Sequence, residues 1–152
     1  FGIPYVMGVP VGPDYSAKIR EALAIAAATG ENQVLFSDLP GQEILIIGEV
    51  VTSLSLASAL ELASGKGVTV LCPTECDPGL LRNKDLQLQS EVEIQQAMAQ
   101  AKLVIADPLY KPICPREIPF LELPSEAFSG RLFRDRIPNL ISDFQLYFRE
   151  VL

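Results

Sequence analysis

Between Leu103 and Asn139 lie the side chains best suited to chemistry: acids, aromatics, a cysteine and several arginines around two short apolar runs. Asp107 follows the run Leu103–Ala106 and precedes Pro108. Its carboxylate therefore either points off the end of a strand, where ligand sites are built, or caps a turn begun by the proline. Tyr110 reads either as a hydrogen-bonding aromatic wall or as a cover for the end of a sheet. A second cluster, Glu49-Val50-Val51-Thr52-Ser53, follows the apolar run Ile44–Gly48. Its oxygens and the amino terminus of the next helix can hold a ligand, or Thr52 or Ser53 simply caps that helix. This turn lacks the glycines that bring backbone against a pyrophosphate, so a dinucleotide cofactor is not expected.

Three cysteines offer thiolates. Cys76, in the loop after a strand ending at Cys72, and Cys114, in the loop after another, could approach each other at the sheet's carboxyl edge. An iron-sulfur cluster takes about four ligands. The chain alone cannot supply that set, but Cys76 and Cys114 could contribute to a cluster shared with other domains; the alternative is reduced structural thiols. Their odd number does not suggest a secreted disulfide framework, and their spacing is no zinc knuckle. Arg131, Arg134 and Arg136 concentrate three of the twelve basic residues within six positions. Such a group binds a carboxylate or phosphate in bidentate fashion, or is consumed in salt bridges. The chain has no histidine, which excludes Ser-His-Asp and Cys-His catalysis and histidine metal ligation within these residues.

The elements that position these groups follow from apolar periodicity. Gly2–Met7 reads as an extended entry segment, with residues 1–13 an entry strand and loop. A helix then runs to Gly30, capped by Asp14 or Ser16, with Ile19, Ala22, Leu23, Ala26 and Ala27 on one face. Residues 31–42 read as a loop. Ile44–Gly48 is a doubly buried strand, followed by a helix from Thr52 to Gly65 and a strand at Val68–Cys72. Residues 73–88 show no clear pattern. Ser90 and Glu93 form a capping-box pattern before a third helix, whose apolar face is Ile94, Ala97, Met98 and Ala101. Strands at Leu103–Ala106 and Pro119–Leu123 follow, and a terminal helix with an aromatic face spans residues 140–152. This alternation predicts an open, mostly parallel, Rossmann-like α/β sheet of about four strands with helices on both faces. For the order second, first, third, fourth, the switch point lies between Ile44–Gly48 and Leu103–Ala106, with Glu49–Ser53 and Asp107–Tyr110 at its carboxyl edge.

With 152 residues, 49% hydrophobic and 20% charged, the chain suits one packed domain and is too apolar for disorder. Its net charge of −7 disfavours nucleic acid and anionic membranes as partners. No apolar run approaches the roughly 18 residues of a membrane span, and no basic signal region opens the chain, so a cytoplasmic setting is expected. The opening on Phe1 and an unfinished last helix suggest one domain excised from a longer chain.

The motifs GIPYVMGVPVG at Gly2–Gly12, ILIIGEVVTSLSLASAL at Ile44–Leu60, LVIADPLY at Leu103–Tyr110 and IPFLELP at Ile118–Pro124 together resemble the carboxyl-terminal part of subunits in the nitrogenase component 1 family. The resemblance covers most of the chain in pattern, though each motif is loose. It implies one of several similar α/β domains bordering an inter-domain cleft for a metal cluster or reducible substrate. It also implies a homo- or hetero-oligomer with a second nitrogenase-like subunit, fed by an ATP-dependent iron-sulfur reductase. The missing histidine and the compact, proline-rich connection from Asp107 to Pro119 mark the chain as divergent, and no catalytic residue carries over. In this reading Glu49, Thr52, Asp107 and Tyr110 line the cleft, and the entry strand and last helix pack against other domains or subunits. The second reading is a non-catalytic Rossmann-like module that binds a small anion or a partner through Arg131, Arg134 and Arg136.

Overall fold

The computed structural model describes residues 2–152; Phe1, the first residue of the expected entry strand, lies outside them. Apolar runs bounded by turn residues form a parallel five-stranded sheet in the order β5-β4-β3-β6-β7. The strands are β3 (Ile44–Ile47), β4 (Val68–Cys72), β5 (Leu86–Gln87), β6 (Leu103–Ala106) and β7 (Phe120–Glu122). The Rossmann-like α/β architecture and the expected order of the four main strands are both present. The fifth strand, β5, comes from the segment that showed no pattern. It is held on β4 by two residue pairs, Leu71 with Leu86 and Cys72 with Gln87.

Alternation along β3 divides the core in two. Ile44 and Ile46 face helix α2 (Val50–Ser64), which α1 (Pro13–Thr29) covers from outside, whereas Leu45 and Ile47 face α3 (Glu91–Met98) through Ile94 and Met98. Helix α2 is buried along nearly its whole length between the sheet and α1. Its serines serve this close packing. The Ser55 and Ser58 hydroxyls donate to the carbonyls of Val51 and Leu54, and accept from the amides of Val9 and Ser37 in neighbouring loops.

Several local expectations are corrected. Helix α1 begins at Pro13, with Gly12 at its N-cap, so neither Asp14 nor Ser16 is the cap; proline at the first helical position fixes the start instead. Leu23, expected on the buried face, is 52% exposed. Ser90 occupies the N-cap of α3, but its side chain makes no capping hydrogen bond. The entry segment is not left wholly without a neighbour: β1 (Val6–Met7) pairs in parallel with β2 (Gln33–Val34), inside the expected loop. The expected 140–152 helix contracts to α5 (Phe144–Tyr147), with turns on either side. Its aromatic face closes on this chain's own core, where Phe144, Phe148 and Val151 are at most 3% exposed. Gly12 makes this possible. Its amide donates to the Leu140 carbonyl at 2.8 Å, and a Cβ there would stand 2.9 Å from the Phe144 ring, so the motif leading into α1 is joined to the end of the chain. Apolar surface remains outside, with Ile3, Val34, Leu132 and Leu146 each at least 60% exposed. No helix among the described residues is long and apolar enough to cross a membrane.

Candidate functional site

Strands β3 and β6 lie side by side, in register from Ile44 with Leu103 to Ile47 with Ala106. Their connections leave in opposite directions, which opens a crevice beyond their carboxyl ends. A cleft of about 450 Å³ occupies this place. Its polar lining includes Glu49, Thr52, Ser53 and Asp107, four of the residues expected there, and its apolar lining includes Leu56, Leu123 and Phe128. The remaining wall comes from Ser125–Phe128, at the start of the short helix α4 (Glu126–Ser129), and from Ile137, Pro138 and Leu140.

Glu49 is the N-cap of α2, a role expected of Thr52 or Ser53. Its two carboxylate oxygens accept from the amides of Val51 and Thr52, each at 2.9 Å. Partial burial pushes the Glu49 carboxyl up, but hydrogen bonds from Thr52 and Val51 outweigh this and hold it below the ordinary glutamate value. Ser53 turns inward, 5% exposed, beside Gly48. Asp107 is 1% exposed and fully engaged. One oxygen caps the Pro108 turn by accepting from the Leu109 amide at 3.0 Å; the other accepts from the Ser125 amide and the Ser129 hydroxyl, both at 2.8 Å. Both readings of Asp107 thus meet at one residue: it borders the cleft, and it organises the cleft wall by tying β6 to α4.

The remaining expected site residues lie elsewhere. Tyr110 does not line the cleft; it packs against the α3-side core and edge-on to Phe128, with ring centroids 5.9 Å apart. Burial, with the Asp107 charge second, pushes its phenol up. Cys76 and Cys114 do not converge, because Cys76 packs on the α2-side core and Cys114 on the α3-side core. Cys76 neighbours Cys72 instead. Burial, hydrogen bonding to Cys72 and adjacent negative groups push its thiol up to about 11, and burial then Glu117 raise that of Cys114. Thiols so shifted are poor nucleophiles and reluctant ligands at neutral pH. No three His, Cys, Asp or Glu side chains converge as a metal site among the described residues. The arginines are dispersed too. Arg134 pairs with Glu126 at 2.8 Å, and Arg136 pairs with Glu122 at 3.2 Å while lying over the Phe133 ring. Arg131 is exposed and away from the cleft.

No protein-family model, curated protein or solved structure matches this chain.

A second polar centre, absent from the sequence reading, sits at the opposite end of the sheet. Glu61, 1% exposed, accepts from Lys84 Nζ at 2.7 Å, the Val68 amide at 3.0 Å, the Ser37 hydroxyl and Arg82 Nη1 at 3.4 Å. Arg82 also forks onto Asp85 and donates to the carbonyls of Ser37 and Val68. Burial raises the Glu61 carboxyl, yet bonds from Lys84, Ser37 and Val68 and the Arg82 charge bring it below its ordinary value. With its partners all supplied by the chain, this network fastens the Ser37–Leu39 loop and the Arg82–Asp85 turn to α2 and β4. The sequence carries its signal: Glu61 falls on the apolar stripe of Leu54 and Ala57, where an acid needs a buried partner. A shallower depression of about 630 Å³, between Lys102, Pro119, Tyr147 and Arg149 at the amino ends of β6 and β7, contains none of the expected site residues.

Proposed function

We propose that this chain is the cleft-forming α/β domain of a nitrogenase-like oxidoreductase subunit, and that its switch-point cleft supplies one wall of the site for a reducible substrate or cluster. The observation that carries the proposal is the open cleft of about 450 Å³ beyond β3 and β6, bordered by Glu49, Thr52, Ser53 and Asp107. The same cleft lies between the two motifs, ILIIGEVVTS and LVIADPLY, on which the family resemblance rests most heavily. A second nitrogenase-like subunit, an ATP-dependent iron-sulfur reductase as electron donor and a cytoplasmic setting belong to the same proposal and rest on that resemblance.

The thiols of this chain do not suit a cluster by themselves, since Cys76 and Cys114 pack on opposite faces of the sheet and neither is acidified. In this proposal the ligands of any cluster come mainly from other sequence, and the domain's own contribution is the shaped, partly apolar cleft. The test is anaerobic production of the full-length protein with iron, followed by reduction with an ATP-dependent iron-sulfur reductase. Charge-transfer absorption that bleaches only with reductase and ATP supports the proposal. Absence of both the absorption and the ATP-dependent electron uptake contradicts it.

A further inference from the structure

We infer that the switch-point cleft takes a small, non-anionic molecule with an apolar body and a neutral or basic hydrogen-bonding head, and that Glu49 is the group that turns anions away. This deepens the proposed function by naming the ligand chemistry, and it rests on the cleft being a ligand site. Helix α2 has 15 residues, and its amino terminus opens on the cleft, the place where a phosphate or carboxylate would ordinarily dock on free amides. Here the amides of Val51 and Thr52 already hold the Glu49 carboxylate. The ionisable side chains lining the cleft are Glu49, Asp107 and Glu126, and neither lysine nor arginine lines it. An incoming anion would meet like charge with those two amides already taken; an amine or an uncharged polar head meets no such opposition.

A second observation points to the ligand itself. Ser53 is 5% exposed and lines the cleft, yet its hydroxyl has no hydrogen-bond partner among the described residues, while its amide donates to the Glu49 carbonyl. The backbone keeps this hydroxyl clear: at Gly48 a Cβ would stand 2.5 Å from Ser53 Oγ. An unpaired hydroxyl on a nearly buried residue that lines a cavity is a place for a ligand's polar head. Around it, Leu56, Leu123, Phe128 and Ile137 supply apolar walls, and about 450 Å³ lies within the range of small-molecule sites.

The test compares three probes of nearly equal shape, benzyl alcohol, benzylamine and benzoate, by ligand-observed NMR titration of the full-length protein. Ala127→Trp, which fills the cleft from its exposed rim, locates the binding. Benzyl alcohol and benzylamine are expected to bind at least about tenfold more tightly than benzoate, a difference of about 1.4 kcal/mol. They should lose about two- to tenfold in affinity on Ser53→Ala, the value of one hydrogen bond, and lose binding on Ala127→Trp. Glu49→Ala should bring benzoate to within about threefold of benzyl alcohol by freeing the helix terminus. Benzoate binding as tightly as benzyl alcohol to the unaltered protein overturns the inference but leaves the cleft as the ligand site. Failure of all three probes to bind in an Ala127→Trp-sensitive way overturns both. An unchanged affinity in Ser53→Ala removes the hydroxyl from the proposal.

Discussion

Replacing Glu61 with alanine tests whether the buried network at the amino end of the sheet holds the surrounding loops. The Glu61 side chain is fully buried, and its partners Arg82 and Lys84 have side chains only 7% and 12% exposed. Alanine leaves Lys84 with one partly exposed acid, Asp38 at 3.4 Å, and the Leu39 carbonyl, and deprives the Val68 amide of its acceptor. Breaking a buried ion pair from one side costs about 3–5 kcal/mol; Arg82 keeps Asp85, so the charge left poorly compensated is chiefly that of Lys84. At about 2–4 °C per kcal/mol for a domain of this size, the melting temperature should fall by roughly 6–20 °C. Glu61→Gln keeps the volume and an acceptor for Val68, so it should cost about half as much. The pH dependence fixes the sign. The Glu61 carboxyl is held below its ordinary value of 4.5, so its ionisation contributes fully above that value, and the contribution is lost as pH falls through the lower folded value. The stability gap between the parent and Glu61→Gln should therefore narrow below a pH of about 4.5. Thermal and urea unfolding from neutral to acid pH provides the measurement. A cost below about 1 kcal/mol for Glu61→Ala, or a gap that does not narrow in acid, would refute the reasoning.

Other substitutions address the cleft and the thiols. Gly48→Ala should destabilise by about 1–3 kcal/mol through contact with Ser53 Oγ, and Gly48→Ala with Ser53→Ala should recover most of that loss in urea melts; an equal cost in both backgrounds would place the strain elsewhere. Asp107→Asn should cost about 1–3 kcal/mol, because one of its accepting oxygens becomes a donor facing the Leu109 amide or the Ser125 amide and Ser129 hydroxyl. Chemical denaturation checks the value, and a neutral effect would show that α4 is held by other contacts. With its thiol near 11 against the ordinary 9.0, Cys76 carries about a hundredfold less thiolate at neutral pH, so iodoacetamide should modify it far more slowly in the folded than in the unfolded chain. Mass spectrometry gives the rates, and equal rates would contradict the shift.

The strands around the cleft were legible because Ile44–Ile47, Val68–Cys72 and Leu103–Ala106 are continuous apolar runs between turn residues, the pattern of strands buried on both faces. Their order then located the cleft and four of its polar residues. Strands β1, β2 and β5 are two residues each, too short to show a period, and exist through pairing that no local pattern encodes. Glu49 looked like a free site carboxylate because Thr52 and Ser53 are more usual N-cap residues. The thiols were expected together because both follow strands on one edge of the sheet, but their loops turn to opposite faces. The aromatic run at residues 144–148 suggested an external partner; the partner is the chain itself, and Gly12 reserves space for the Phe144 ring.

We propose that this domain meets its substrate in the switch-point cleft. Ala127→Trp in the full-length protein tests it most directly, because Ala127 lines the cleft from an exposed position and its replacement need not disturb the core. Reductase- and ATP-dependent reduction should fall at least about tenfold, with a melting temperature within about 2 °C of the parent, as for a surface change of about 0.5 kcal/mol. Unaltered reduction in a stably folded Ala127→Trp protein would contradict it.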